Sequence, residues 1–263
     1  MIYQNNSKTV ALITSFIDIG RGDWKGWSNR SVEKYFEYFK NISHLDNPIY
    51  IYIEDRFKSR ILDLRNGKPT YFIKSNVYHD FNSLYQEIKR VHKLDSFKKS
   101  IPDHLIGHPE YWSVEYVFVT LLKPYIVELA INQFEIKEDL VSWIDFGYQR
   151  DSSVVGKQLS LPFPKDKITV FSQKEIFSPD IDFSILNNDI YIIGSPIIGS
   201  IDTWKILIGL CKNSINELFE KDMIDDDQTI WLMSYLKNVN LFNVIVTEEW
   251  FSLFKYNTSH TFS

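Results

Sequence analysis

Short apolar runs rich in β-branched residues alternate with stretches of helical period along almost the whole chain, and this alternation restricts the possible folds severely. Residues 9–16, 48–53, 69–73, 141–145, 168–171, 190–193 and 242–246 are too short for buried helices and too apolar for surface loops, so they are predicted to be strands. After the first of them, Val32, Tyr35, Phe36 and Phe39 recur at the three- and four-residue spacing of a helix that buries one face. Helices are also expected over 56–66, ending at Gly67, and over 81–94, 201–219 and 226–236. A further helix over 113–134 should be kinked near Pro124, which cannot donate the backbone hydrogen bond. Strands that alternate with helices predict an α/β fold with a mostly parallel central sheet flanked by helices. The 263 residues show no internal repeat and no low-complexity linker, so one domain over 1–263 is expected. Residues 151–188 are less regular and are expected to supply loops facing an acceptor substrate.

Several classes are disfavoured. The sequence has no run of about 18 apolar residues that could form a bilayer-spanning helix, and residues 1–6 lack the basic and apolar segments of a signal peptide. The lone cysteine, Cys211, lies in an apolar helical stretch and fits a buried thiol in a reducing compartment, so a cytoplasmic protein is expected. The net charge of −5 does not suit a nucleic-acid partner, which calls for a basic surface. Lys89, Arg90, Lys93, Lys98 and Lys99 form either an ordinary solvated helix face or a peripheral contact with an anionic membrane.

Open α/β sheets bind ligands beyond the carboxyl ends of their strands, so the loops there are the first places to look for chemistry. Asp18-Ile-Gly-Arg-Gly-Asp-Trp24 follows the first strand. Its glycines permit close backbone approach, and Arg21 offers a fork of donors to a diphosphate; a turn with an Asp/Arg pair is the alternative. In Trp143-Ile-Asp-Phe-Gly-Tyr148, Asp145 ends a strand. It is placed either to hold a divalent cation bridging two phosphates or to cap the next turn. Gly194-Ser-Pro-Ile-Ile-Gly-Ser200 is read as the link between a strand and a helix capped by Ser200, with Gly194, Ser195 and Gly199 on the acceptor side. Asp225-Asp-Asp-Gln228 fits a capping box with Asp225 as the cap, yet three aspartates exceed what one cap requires, and one of them could serve as a general base. His44, His79, His92, His104 and His108 have no recognisable metal spacing, whereas His260, near the end, could swing onto a bound metal.

The segment Thr14-Ser-Phe-Ile-Asp-Ile-Gly-Arg21, with Pro109-Glu110, Tyr116, Lys123, Trp143-Ile-Asp-Phe-Gly-Tyr148 and Asp226-Asp-Gln228, resembles the HtrL/YibB family of bacterial proteins from about residue 9 to 254. That family looks like a branch of the GT-A glycosyltransferases. The resemblance implies a GT-A-like nucleotide-sugar-binding domain and transfer of a hexose from a nucleoside-diphosphate sugar, expected to be UDP-linked. The acceptor would be an oligosaccharide or lipid-linked glycan of lipopolysaccharide, capsule or a related surface polymer. It further implies that Thr14, Asp18, Arg21, Lys123, Asp145 and Gly147 bind the donor, that Asp145, helped by His260, holds Mn²⁺ or Mg²⁺, and that Asp226 or Asp227 is the base. The acidic motif departs from the Asp-x-Asp pattern of many GT-A members, since Phe146 and Gly147 follow Asp145. Two other readings compete: a non-catalytic carbohydrate- or nucleotide-binding module on the same fold, and a nucleotidyltransferase.

Overall fold

A computed structural model describes residues 7–26, 29–153, 156–177 and 179–258. In chain order the elements are β1 (Lys8–Phe16), α1 (Val32–Ser43), β2 (Ile49–Ile53), α2 (Lys58–Arg65), β3 (Thr70–Phe72), α3 (Val77–Asp80), α4 (Asn82–Lys93), α5 (Asp95–Ser100), α6 (Pro109–Trp112), α7 (Val114–Leu121), α8 (Lys123–Gln133), β4 (Leu140–Trp143), β5 (Ser160–Leu161), β6 (Ile168–Ser172), α9 (Ile181–Asn187), β7 (Ile192–Gly199), α10 (Ile201–Glu220), α11 (Asp227–Lys237) and β8 (Phe242–Val246). One open sheet of eight strands joins them in the order β3-β2-β1-β4-β7-β6-β8, with β5 paired to the start of β1.

Among the described residues the sheet is mixed, with four of its seven pairings parallel. The pairs β1/β2, β2/β3, β1/β4 and β6/β8 are parallel, whereas β4/β7, β6/β7 and β1/β5 are antiparallel. The cause lies in the connection after β6. Instead of crossing back over the sheet, the chain returns at the same edge, where Gln173 N donates to Tyr191 O and zips β6 to β7 as a wide hairpin. The run Gly194–Gly199, expected as a linker, is therefore strand: β7 extends to Gly199 and is buried along its whole length.

Alternation of side chains divides the interior in two. On β1 and β4, Ala11, Ile13, Val141 and Trp143 face a layer that includes α4, α7, α8, α10 and α11. Val10, Leu12, Phe16, Leu140 and Ile144 face the opposite layer, with Phe36 and Phe39 of α1, Phe146 and Leu253. The predicted break near Pro124 falls at Leu122, where α7 stops and α8 begins with proline in its first turn. Ser200 caps α10 as expected, accepting from Thr203 N at 3.3 Å. The cap of α11 is Asp226, which accepts from Gln228 N at 2.9 Å, one residue later than the capping box predicted. Asp225 instead accepts the Thr229 hydroxyl at 2.6 Å.

A buried arginine ties the outer strands to the helices beneath them. Arg65, fully shielded at the end of α2, donates to the carbonyls of Ser43, Leu45, Asn47 and Pro69 and to the Thr70 hydroxyl. Burial pushes its pKa down to about 10. Asn47 in turn donates to Val10 O and Leu159 O and accepts from Leu159 N, fixing the entry to β1. No helix among the described residues is long and apolar enough to cross a membrane. Arg90, part of the basic stretch noted above, pairs with Glu87 and Asp222.

Candidate active site

The carboxyl ends of β1 and β4 and the beginning of the reversed β7 meet at one edge of the sheet and open onto a cavity of about 440 Å³. Because β7 runs backwards, Gly194 and Ser195 stand beside the end of β4, and Asp145 N donates to Ser195 Oγ at 2.9 Å. Helix α11 directs its first residues, Asp226 to Gln228, into the same cavity. The α6–α7 segment adds Glu110 and Tyr116, and the start of α8 adds Lys123.

Lys123 links these parts. Its ammonium lies 2.9 Å from Asp145 Oδ1 and 2.8 Å from Asp227 Oδ2, and donates to Gly194 O at 3.2 Å. Two indoles complete the arrangement: Trp143 Nε1 donates to Asp145 Oδ1 and Trp231 Nε1 to Asp227 Oδ2, each at 2.9 Å. Glycine at 194 is required by this packing, since a Cβ there would lie 2.5 Å from Asp227 Oδ2. Burial works against the ammonium, but the charges of Asp145 and Asp227 outweigh it and raise the Lys123 pKa. An ammonium has three hydrogens, and these three oxygens use them. Lys123 therefore orients the carboxylates of Asp145 and Asp227.

Four carboxyl groups lie on this side. Burial raises the pKa of Asp227, opposed by Lys123. Burial pushes Asp225 up to about 7, with the Glu110 charge adding to it. Asp226 lies well above the ordinary carboxylate range, through burial and then repulsion from Asp227, Asp225 and Glu110. Glu110 is 7% exposed, and its Oε2 has no hydrogen-bond partner. Its pKa is raised chiefly by burial. These groups titrate as a set.

Arginines share the cavity with Glu110, Asp226 and Asp227, and Arg21 acts on Glu110 directly. Arg21, Arg30 and Arg150 all line the cavity. Arg21 donates to Tyr35 Oη at 2.8 Å and stacks its guanidinium 5.2 Å from the Trp24 ring centre and 5.4 Å from that of Tyr116. Arg150 lies over Phe251 at 4.6 Å. Its pKa is lowered by burial and next by the neighbouring charge of Arg30, with Arg21 contributing. Neither Arg30 nor Arg150 pairs with a carboxylate among the described residues.

The cavity gathers most of the expected residues: Asp18, Arg21, Lys123, Asp145, Gly147, Gly194, Ser195, Asp226 and Asp227. Two fall elsewhere. Thr14 is completely buried within β1 and does not line the cavity; strand alternation gives that place to Ser15. Gly199 pairs with Val141 at the far end of β4, at the opposite edge of the sheet, and packs against Ile168 and Thr203. Asp18 reaches the cavity, but its oxygens accept from Gly20 N at 3.0 Å and pair with Arg56 at 3.1 Å, so its turn-forming role is met within the protein. Asp227 is held by Lys123 and Trp231, which leaves Asp226 as the better placed of the two candidate bases. His260 lies outside the described residues. Among those described, no three His, Cys, Asp or Glu side chains converge as a metal site requires. The inner oxygen of Asp145 is occupied by Lys123 and Trp143. Of the two residues expected to hold Mn²⁺ or Mg²⁺, Asp145 lies among the described residues and offers one carboxylate whose inner oxygen is already engaged.

Glu110, Arg30 and Arg150 were not assigned roles from the sequence. Arg150 does follow the acidic turn closely, but that its charge lacks a counter-ion emerges only when the chain is folded.

The fold and cavity define the class: an α/β protein with an open mixed sheet and a cleft at one sheet edge lined by both arginines and carboxyl groups. Residues 8–259 match a family described as "Bacterial protein of unknown function (HtrL_YibB)". The chain is also similar to Protein HtrL of Escherichia coli (strain K12), with 38% identity over 272 residues that cover 96% of this chain and 94% of that protein. The chain belongs to the HtrL/YibB family.

Proposed function

We propose that the protein is a glycosyltransferase of GT-A type that moves a hexose from a nucleoside-diphosphate sugar, UDP-linked by preference, to a hydroxyl of a bacterial surface glycan. The observation that carries this reading is the joint lining of one cavity by Arg21, Arg30 and Arg150 and by the carboxyl groups of Glu110, Asp226 and Asp227. A ligand suited to both sets of groups carries a polyanion and a hydroxyl-rich group. Arginine forks match phosphate oxygens, and carboxyl groups accept from sugar hydroxyls.

In this reading Asp226 takes the proton from the acceptor hydroxyl. The acceptor oxygen attacks C1 of the sugar, and the bond from C1 to the diphosphate oxygen breaks. The electron pair leaves with the diphosphate, whose growing charge the arginines stabilise. Asp145, 44% exposed and held in place by Lys123, Trp143 and Ser195, borders the donor sugar. Attack from the side opposite the diphosphate inverts the configuration at C1. No step is assigned to a metal.

Purified protein incubated with a panel of UDP-, GDP- and TDP-hexoses should hydrolyse or transfer at least one of them. Asp145→Ala should abolish that turnover while remaining folded. Full activity in Asp145→Ala would remove the central assignment. Binding without turnover across donors and acceptors would favour a non-catalytic module, and pyrophosphate release from a nucleoside triphosphate would indicate a nucleotidyltransferase.

A further inference from the structure

We propose that Glu110 and Asp226 form the wall that reads the transferred sugar, and that this wall selects an uncharged hexose over a uronic acid. The inference rests on the nucleotide-sugar reading above and adds the chemical class of the sugar.

Glu110 follows Pro109 at the start of α6, and Asp226 is the cap of α11. Both side chains line the cavity, both residues are 7% exposed, and each contributes to the electrostatic environment of the other. They differ in what holds them. Asp226 accepts from Gln228 N, so its position is fixed by the helix it caps. Glu110 leaves Oε2 with no partner although the atom is buried. A buried acceptor left unsatisfied costs about 1–3 kcal/mol, and buried polar atoms in folded proteins are rarely left so. A donor brought by the ligand would satisfy it, and a sugar hydroxyl is such a donor.

The same wall disfavours a negative sugar. Asp225, Asp226, Asp227 and Glu110 already repel one another, and the ammonium of Lys123 is committed to Asp145 and Asp227. A uronate would bring another carboxylate beside these groups, where the opposing charges acting on Glu110 are those of His108 and of Arg21, which the phosphates would engage. Like charges brought together at a binding surface are strongly unfavourable.

The test uses the full chain and calorimetric titration with UDP, UDP-glucose, UDP-galactose, UDP-glucuronate and UDP-galacturonate, each affinity being referred to that of UDP for the same protein. In the wild type at least one neutral sugar nucleotide should bind roughly tenfold or more tighter than its uronate counterpart, about 1.4 kcal/mol. In Glu110→Gln, which keeps the shape and removes the charge, this ratio should fall below about threefold. The variant's thermal midpoint, at or above that of the wild type, verifies that it is folded, since a buried carboxyl has been replaced by an amide. Equal binding of neutral and acidic sugars by the wild type, or an unchanged ratio in folded Glu110→Gln, overturns the inference and leaves the nucleotide-sugar reading standing. Failure of all five compounds to bind the wild type overturns the inference together with the preference for UDP-linked donors.

Discussion

The ammonium of Lys123 lies 2.9 Å from the carboxylate of Asp145, joining the first turn of α8 to the end of β4. Both residues were expected to bind the donor, and Asp145 a metal as well; in the folded protein each is the other's partner. Asp227 closes the arrangement from α11, so that three elements distant in sequence are held at one point of the sheet edge. The cation that neutralises the acidic turn is part of the protein.

Removing that ammonium should be costly. Lys123→Met would leave Asp227, 3% exposed, as an unpaired buried charge. Losing one partner of a buried ion pair typically costs about 3–5 kcal/mol. Urea unfolding should show a loss of that order, and adding Asp227→Asn should recover part of it. Strict additivity of the two substitutions would mean that the groups are not coupled in the folded protein.

Asp225 gives stability an unusual pH dependence. Its folded pKa of about 7 exceeds the ordinary 3.8 of the unfolded chain, so its contribution is complete below about pH 4 and is lost as pH rises through 7. The wild type should lose unfolding free energy between pH 4 and pH 7. Asp225→Asn should lose less, because the amide still accepts from Thr229 and has no proton to give up. Parallel pH profiles for the two proteins would refute the assignment.

Arg150 should act in binding and contribute little to folding. Arg150→Gln removes a cation from the neighbourhood of Arg30 and Arg21 and breaks no ion pair. Its affinity for UDP should fall roughly tenfold, more steeply at low salt than at high salt, with the denaturation midpoint unchanged. A folded variant that binds UDP as the wild type does would place the phosphates elsewhere.

If Asp226 is the base, Asp226→Asn should lower kcat by about 10²–10⁴ and leave the affinity for UDP within a small factor. The elevated pKa of Asp226 also has a kinetic consequence. A base must be ionised to accept a proton, so wild-type kcat should climb with pH through that elevated value, and the residual activity of the variant should not.

Arg65 is a purely structural test. Lysine offers three donors where the guanidinium of Arg65 serves five acceptors. Arg65→Lys should destabilise by about 1–3 kcal/mol for the acceptors left bare, measured by urea unfolding. An unchanged midpoint would mean that water replaces the lost donors.

The parts of this fold that are legible in the sequence are those encoded by local pattern. The strand at β1, the helix bearing Phe36 and Phe39, the break before Pro124 and the Ser200 cap all follow from spacing and residue type. The direction of β7 was not legible, because an apolar run reads the same in either direction and its partners β4 and β6 are remote in the chain. That one reversal explains why Gly194 and Ser195 reach the site while Gly199 does not. Likewise, Lys123 and Asp227 could each be singled out, but their pairing spans about a hundred positions and has no local pattern. The unsatisfied oxygen of Glu110 has no sequence signature, since it depends on what the other elements fail to provide.

The hairpin clasp between Gln173 and Tyr191 has an evolutionary corollary. The segment they enclose is anchored in turn, with Ile185 in the core and its carbonyl accepting from Tyr111 Oη, so an exchanged segment that keeps this anchor leaves the alignment of β6 against β7 in place. Under the proposed function, a lineage could diversify the receiving molecule by remodelling the rest of this segment, and chimeras that swap it between relatives should keep the donor while changing the glycan that is extended.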